Sequence, residues 1–358
     1  QGDVGNMAQE DVVLEALESD GRINDVDCDF PLKMFVLYST NPISNMATEA
    51  PRIYDAMVNH SEFNVDINYV LTPSAMAYCE LVLPIAMGPE RNSLRAWWWP
   101  LRVIRKAADR YYECKTDEEL VAELCNRLNP DSPIPDNDIV WMDQILSESN
   151  TDLTFEELTK KVIVWPEWHY RKYETGEVRY DGQVGFNTVT GRFEFAPALF
   201  PQFGLPQAPY YEEPRFSKRS RPEWTEEYPL DFVTGARRPT SFHTEHRMID
   251  SLREIRKSAT VEINPVTAEK HGIGQGDWVT IENPWGKCQM VADITPIVKE
   301  GVIGCDHGWW YPEDKDTELF SVRKSSINSL MPWKEIGKLG LGSHYGALPC
   351  KIYRTENQ

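Results

Sequence analysis

The apolar run Leu230–Val233 delivers Thr234, Gly235, Ala236, Arg237 and Arg238, a glycine turn with two adjacent guanidinium groups; His243, His246 and Arg247 follow closely. A glycine turn presents backbone N–H groups, and a guanidinium fork grips an oxyanion through two parallel bonds. Together they suit a pyrophosphate or another polyanion, and they stand apart in a chain of formal charge −19. A second strand-like run, GVIGC, leads through Asp306 into His307, Gly308 and the pair Trp309-Trp310. Imidazoles are planar donors and acceptors that titrate near neutrality, so His243 and His307 are candidates for ligand contact or proton movement.

Competing motifs fail on spacing. His243 and His246 form an HxxH pair without the glutamate or third ligand of a zinc hydrolase. GIGQG leads into the strand-like DWVTIEN instead of a helix, so it is a tight turn and not a dinucleotide fingerprint, with Gly274, Gly276 and Asp277 structural. Trp97, Trp98 and Trp99 read as packing or as an aromatic pocket lining, and Trp309-Trp310 as packing or as walls beside His307.

The elements that position these groups alternate at first. KMFVLYS is strand-like, MATEAPRIYDAMVNH helical and INYVL strand-like, the pattern of a parallel α/β sheet with ligands at its strands' carboxyl ends. Asn41, Pro42 and Thr72 fall after those strands, although Asn41-Pro42 also reads as an ordinary turn. Thr116 and Glu119 form a capping box ahead of Leu120, Leu124 and Leu128, a stripe of core-packing type. Short helices follow around Asp138 to Ser147 and Thr154 to Val162. Pro197, Pro201, Pro206, Pro209, Pro214 and Pro222 exclude long regular elements up to Trp224, with VGFNTVTGRFEF hairpin-like within that stretch. LDFVTG, ATVEIN, DWVTIEN, KCQMVADIT and GVIGC then read as the strands of a β-barrel, with one helix begun by Asn264-Pro265 and closed by Gly272. The expected divisions are 1–116, an α/β portion; 117–223, a helical and irregular connector; and 224–358, the barrel.

Taken in order, YPLDFVTGARRPTSFHTEHR, VEINPVTAEKHGIGQGDW, GVIGCDHGWW and SSINSL resemble the C-terminal cofactor-binding domain of the molybdopterin oxidoreductases of the dimethyl sulfoxide reductase family. KMFVLYSTNPISN and INYVLTPSAMAYCELVLPIAMGPER resemble that family's third domain through Asn41, Pro42, Thr72, Leu83, Pro84 and Glu90. The resemblance implies an α/β plus β architecture: a Rossmann-like portion, the connector, and a six-stranded double-psi barrel. It implies a bis(molybdopterin guanine dinucleotide) cofactor holding molybdenum or tungsten. Thr234, Gly235, Arg237 and Arg238 then meet pterin or pyrophosphate, His243 and His307 with Gly308 the pterin, and Asn328 the guanine. Asn41, Pro42 and Thr72 join them from the α/β side. SSIN stands where many relatives have SNxN, so Ser326 brings no amide. Reductive oxygen-atom transfer or dehydroxylation of a small molecule is the implied reaction. A non-redox hydratase or transhydroxylase, and a non-catalytic molybdopterin-binding module, are the alternatives.

The same resemblance implies a [4Fe-4S] cysteine motif and a protein ligand to the metal. Neither is evident here: Cys28, Cys79, Cys114, Cys125, Cys288, Cys305 and Cys350 are scattered, without a CxxC pair, and read as free thiols. The chain opens on GDVGNMAQEDV without a signal peptide, so it is expected to be the C-terminal half of a longer catalytic subunit, inactive alone, with cluster and metal ligand upstream. Its expected partners are that N-terminal part, a small-molecule substrate and an iron–sulfur electron-transfer subunit. The periplasm or cell envelope is expected if an export signal precedes residue 1, the cytoplasm otherwise. At 358 residues and 41% hydrophobic content the chain holds about two or three domains. No apolar run approaches the roughly 18 residues of a membrane span. The charge of −19 repels phosphate backbones and anionic lipid, so nucleic acid and membrane are not expected partners.

Overall fold

The computed structural model describes residues 10–355 apart from 20–21, 24–25, 28–30, 46–49, 96–99, 150, 166, 168, 209, 236, 315–317 and 333–345. Trp97, Trp98, Trp99 and Cys28 therefore lie outside the described residues. Two compact units form, one from residues 1–85 with 214–358 and one from 86–213.

In the first unit, Met34–Tyr38, Phe63–Asn68 and Leu81–Pro84 make a parallel three-stranded sheet with Phe63–Asn68 in the middle. Helices Ala50–Asn59 and Pro73–Tyr78 connect them, giving the expected alternation. Asn64 ties the sheet to both sides of this layer: its Nδ2 donates to Ser61 Oγ at 2.7 Å and to the Tyr78 carbonyl at 2.8 Å. The strand expected at INYVL instead begins at Phe63 and ends at Asn68. The reason is local, because Thr72 must leave the sheet to cap the next helix, accepting the Ala75 N–H at 3.1 Å, and Tyr69 to Leu71 form the link.

The barrel is closed and six-stranded, in the order Thr260–Ile263, Gly286–Ile294, Trp278–Asn283, Gly346–Arg354, Leu230–Thr234, Val302–Cys305. Its strands alternate inward apolar groups, so Phe232, Val261, Ile263, Val279, Ile281, Met290 and Ile303 fill the interior. Cys288, Cys305 and Cys350 are buried there as free thiols, and burial pushes the Cys288 thiol up to about 12. The helix Pro265–Lys270 has Asn264 as its N-cap and Gly272, at φ +63°, just past its end. Asp277 accepts the Gly274 N–H at 2.7 Å, which closes the GIGQG turn as a structural device.

Of the two readings of Trp309-Trp310, packing is the one the structure shows. Trp309 joins the barrel core, whereas Trp310 joins the core of the α/β part with Leu37, Ile43, Ile53 and Tyr78. Each ring buries on the order of 150–250 Å², about 4 to 6 kcal/mol gross, so adjacent residues pin the His307 turn from two cores.

In the second unit, Asp117–Leu128, Asp138–Glu148 and Phe155–Lys161 are helices, with Thr116–Glu119 and Thr154–Glu157 capping boxes. Burial corrects one expectation: Leu124 and Leu128 are 57% and 76% exposed, and the residue this helix buries is Ala122. Periodicity marked an apolar face but not what lay opposite it. VGFNTVTGRFEF forms no strands; the Phe186 N–H closes a turn on the Gly191 carbonyl at 2.9 Å, and aromatic contacts (Tyr173–Phe186 at 4.9 Å) order it.

Candidate functional site

Where the barrel strands Leu230–Thr234 and Val302–Cys305 run parallel, their carboxyl ends open on a cleft of about 590 Å³. Thr234, Gly235 and Arg237 line it from the first strand end, His307 and Gly308 from the second, with His243 between. Asn328 closes the barrel side, and Ser44 and Asn45 face it from the short helix Pro42–Asn45. Among the described residues that line it, none is acidic, despite the chain's net charge of −19.

Each turn has a physical reason. Gly235 sits at φ +100° with no atom within 4 Å of a would-be Cβ, so conformation and not space demands glycine. Gly308 is the opposite case as well: at φ +62° its Cβ would meet the His243 carbonyl oxygen at 2.9 Å, so backbone passes backbone there. Thr234 Oγ1 donates to the Cys305 carbonyl at 3.1 Å and ties the two strand ends together.

Arg237 Nη1 lies 2.8 Å from His243 Nε2, and His243 Nδ1 lies 3.1 Å from His307 Nε2. A guanidinium only donates, so His243 Nε2 accepts, its proton resides on Nδ1, and His307 Nε2 accepts in turn. Both rings are thus neutral with the proton on Nδ1. Burial, aided by Arg237, lowers the His243 pKa. Burial, with His243 and Arg247, lowers that of His307 to about 4. Near neutrality the pair presents no full charge of its own.

Arg238 is placed differently. Its Nε donates to Asp306 Oδ1 at 2.8 Å and its Nη1 to Glu262 Oε1 at 2.6 Å, leaving Nη2 buried without a partner among the described residues. Asp306, 3% exposed, also accepts from Arg256 Nη1 at 2.7 Å and from the Thr260 N–H and hydroxyl, both at 2.9 Å. Burial alone would raise the Asp306 pKa, but Arg256 and Arg238 outweigh it and hold it low. Arg238 therefore braces the turn; it does not line the large cleft, but with Asp306 and Arg247 it lines a small adjoining cavity that shares Arg237, His243 and His307 with it.

Asn328 borders two spaces. Its Nδ2 donates to the Ser44 carbonyl at 2.8 Å, and it also lines a neighbouring cavity of about 370 Å³ with Tyr54, Trp285, Lys287, Arg323 and Ser326. Asn41 and Thr72 stay outside the cleft lining. Asn41 Oδ1 accepts the Ser74 hydroxyl at 2.7 Å, and Ser74 Oγ accepts the Ile43 N–H at 3.0 Å. Asn41 and Pro42 thereby set the start of the helix that brings Ser44 and Asn45 to the cleft. Sequence reasoning missed Ser44, Asn45, Trp285 and Lys287, whose only signals were an Asn-Pro helix start and an Asn-Pro-Trp-Gly turn in a different part of the chain.

A closed barrel with an acid-free cleft at parallel strand ends suits an anionic ligand. Residues 231–340 match the molydopterin dinucleotide binding domain. The chain is 31% identical to the dopamine dehydroxylase of Eggerthella lenta, over 86% of this chain and 37% of that protein. It is 28% identical to the dimethyl sulfoxide reductase of Escherichia coli, over 80% of this chain and 38% of that protein. The solved acetylene hydratase from Pelobacter acetylenicus superposes with a TM-score of 0.83 at 21% identity, covering 98% of this chain and 47% of that one. The chain thus carries a molydopterin dinucleotide binding domain and has homologues in the dimethyl sulfoxide reductase family over most of its length, spanning about two fifths of the length of the curated relatives it matches.

The residues present fit the group this family implies. About 590 Å³ takes one pterin and its phosphates and not the whole of so large a group, and the donor set of Arg237, two neutral imidazoles and an amide answers that part of it.

Proposed function

We propose that this cleft cradles a bis(molybdopterin guanine dinucleotide) cofactor of molybdenum or tungsten, and that the chain works with the rest of a longer catalytic subunit to remove oxygen reductively from a small substrate. The observation that carries the reading is the acid-free lining in a chain of charge −19. When bound, the cofactor supplies oxygen-atom or hydroxyl transfer at its metal. The chain binds and orients. Arg237, exposed and fixed against His243, directs its remaining N–H groups to a pyrophosphate with Thr234 and Gly235 at the strand end. His243 and His307, neutral with fixed tautomers, meet the pterin edge beside Gly308. Asn328 and its neighbouring cavity take the guanine, where Trp285 and Tyr54 offer flat faces and Lys287 and Arg323 offer charge. Arg238, Asn41, Pro42 and Thr72 act indirectly by holding the turns that carry these groups.

Similarity to a dopamine dehydroxylase favours reductive chemistry, and similarity to acetylene hydratase favours a hydration reaction as the second reading. Turnover of the full-length protein separates them. Reduced viologen oxidation dependent on dimethyl sulfoxide or dopamine supports the first reading. Hydration of acetylene without net electron consumption, and no viologen oxidation with either oxygenated substrate, replaces it with the second.

A further inference from the structure

The two histidine turns share one buried guanidinium that does not line the cleft. Arg247 is 3% exposed; its Nη2 donates to the His243 carbonyl at 2.7 Å and reaches the carbonyls of His307 at 3.3 Å and Gly308 at 3.5 Å, while its Nη1 donates to the Glu245 carbonyl at 3.1 Å. Its guanidinium carbon lies 4.2 Å from the Trp309 ring centroid. Carbonyls from segments 60 residues apart thus converge on a single cation. Without it their dipoles repel, and only the Trp310 Nε1–H bond to the Thr244 carbonyl at 2.9 Å and the imidazole pair are left to hold the contact that Gly308 permits. His243 needs holding for a second reason: it sits at φ +48°, a left-handed conformation that strains a non-glycine residue.

We propose that Arg247 is the positioning residue of this cleft: by gathering the His243, His307 and Gly308 carbonyls it holds the two imidazoles within reach of each other and of Arg237, whose donated bond then fixes their tautomers, without itself touching the ligand. The effect on a bound cofactor rests on the proposed function, whereas the geometry is a property of the chain. Lysine cannot replace it, because a compact ammonium lacks the planar fork that spans three carbonyls and lies flat on an indole. Around His307 the charged and titratable groups are His243, Arg247 and Arg237, which oppose its protonation, and Asp306, which favours it.

The test is ¹⁵N NMR of histidine-labelled, cofactor-free chain, comparing wild type with Arg247→Lys and with Ile281→Val, a barrel-core change that lowers stability away from the histidines. Wild type is expected to show His243 and His307 with the proton on Nδ1. In Arg247→Lys both signals should move to the Nε2–H form that free imidazole prefers, whereas Ile281→Val should leave them in place. Unchanged His243 and His307 signals in Arg247→Lys, with only a lower melting temperature, overturn the proposal. If Arg247→Lys does not fold, Trp309→Phe, which shrinks the face under the guanidinium, reads the same signals: a shift toward Nε2–H supports the role and no shift overturns it. Because no cofactor is present, failure here speaks against Arg247, and failure to find pterin in the native protein speaks against the proposed function.

Discussion

Burial disfavours the charged form of both Asp66 and His307, yet they pull stability in opposite directions as pH changes. Asp66 is 0% exposed in the central strand of the parallel sheet, and burial raises its pKa from 3.8 to about 6. A raised acid binds its proton more tightly when folded, so its contribution is intact below 3.8 and is lost as pH climbs toward 6. His307 is the reverse: its folded pKa is lowered from 6.5 to about 4, so its contribution is intact above 6.5 and is lost as pH falls toward 4. Solvent screening holds each effect to about 1–2 kcal/mol, and their windows overlap, so they largely cancel in the wild type. Asp66→Asn should therefore raise stability at pH 8 and unmask acid destabilisation between pH 6 and 4. His307→Gln should unmask the opposite slope. Denaturant melts across pH read both, and two variants with the wild-type profile would contradict the burial argument.

Two neighbouring arginines separate binding from stability. Arg237→Ala should cost under about 1 kcal/mol of stability while emptying the cleft of its ligand, because Arg237 is exposed. Arg238→Ala should cost about 3 kcal/mol, since it strips a cation from buried Asp306 and part-buried Glu262. Melting temperature and cofactor content, measured on both, check the division; equal melting temperatures would refute it. TGARR was legible as a cationic turn. Which arginine faces outward was not, because the carboxylates that claim Arg238 lie 24 and 68 residues away.

Among the elements, those governed by neighbouring residues were readable and those governed by packing were not. Thr116 caps Asp117–Leu128 by accepting the Glu119 N–H at 3.1 Å while Glu119 Oε2 accepts the Thr116 N–H at 3.0 Å. Thr116→Ala should cost about 1 kcal/mol. Leu124→Ala, on the same helix but 57% exposed, should change stability by less than about 0.5 kcal/mol. Urea midpoints of the two variants check this; a larger loss at Leu124 would return that stripe to a core. The sixth barrel strand, Gly346–Arg354, gave no pattern because it contains Pro349 beside a register shift between Gly346 and Leu348, a context where proline is tolerated only when the ladder is already irregular.

Across the molecule, the barrel, the α/β sheet and the kind of ligand were legible because turn chemistry and β-branched runs are local. The partition was less so: residues 1–85 belong with 214–358, a grouping that depends on contacts made far along the chain. Trp310 shows why, since one residue after a barrel-core tryptophan it packs among Leu37, Ile43 and Ile53. The central claim, that the acid-free cleft cradles a pterin guanine dinucleotide, is tested most directly by acid release of native full-length protein, measuring molybdenum, tungsten, pterin and guanosine nucleotide in wild type and Arg237→Ala. The account predicts one metal with two guanosine nucleotides per wild-type subunit, and strong loss of both in a normally melting Arg237→Ala protein. Wild-type protein without pterin or guanosine nucleotide, or an Arg237→Ala variant that keeps both in full, would contradict it.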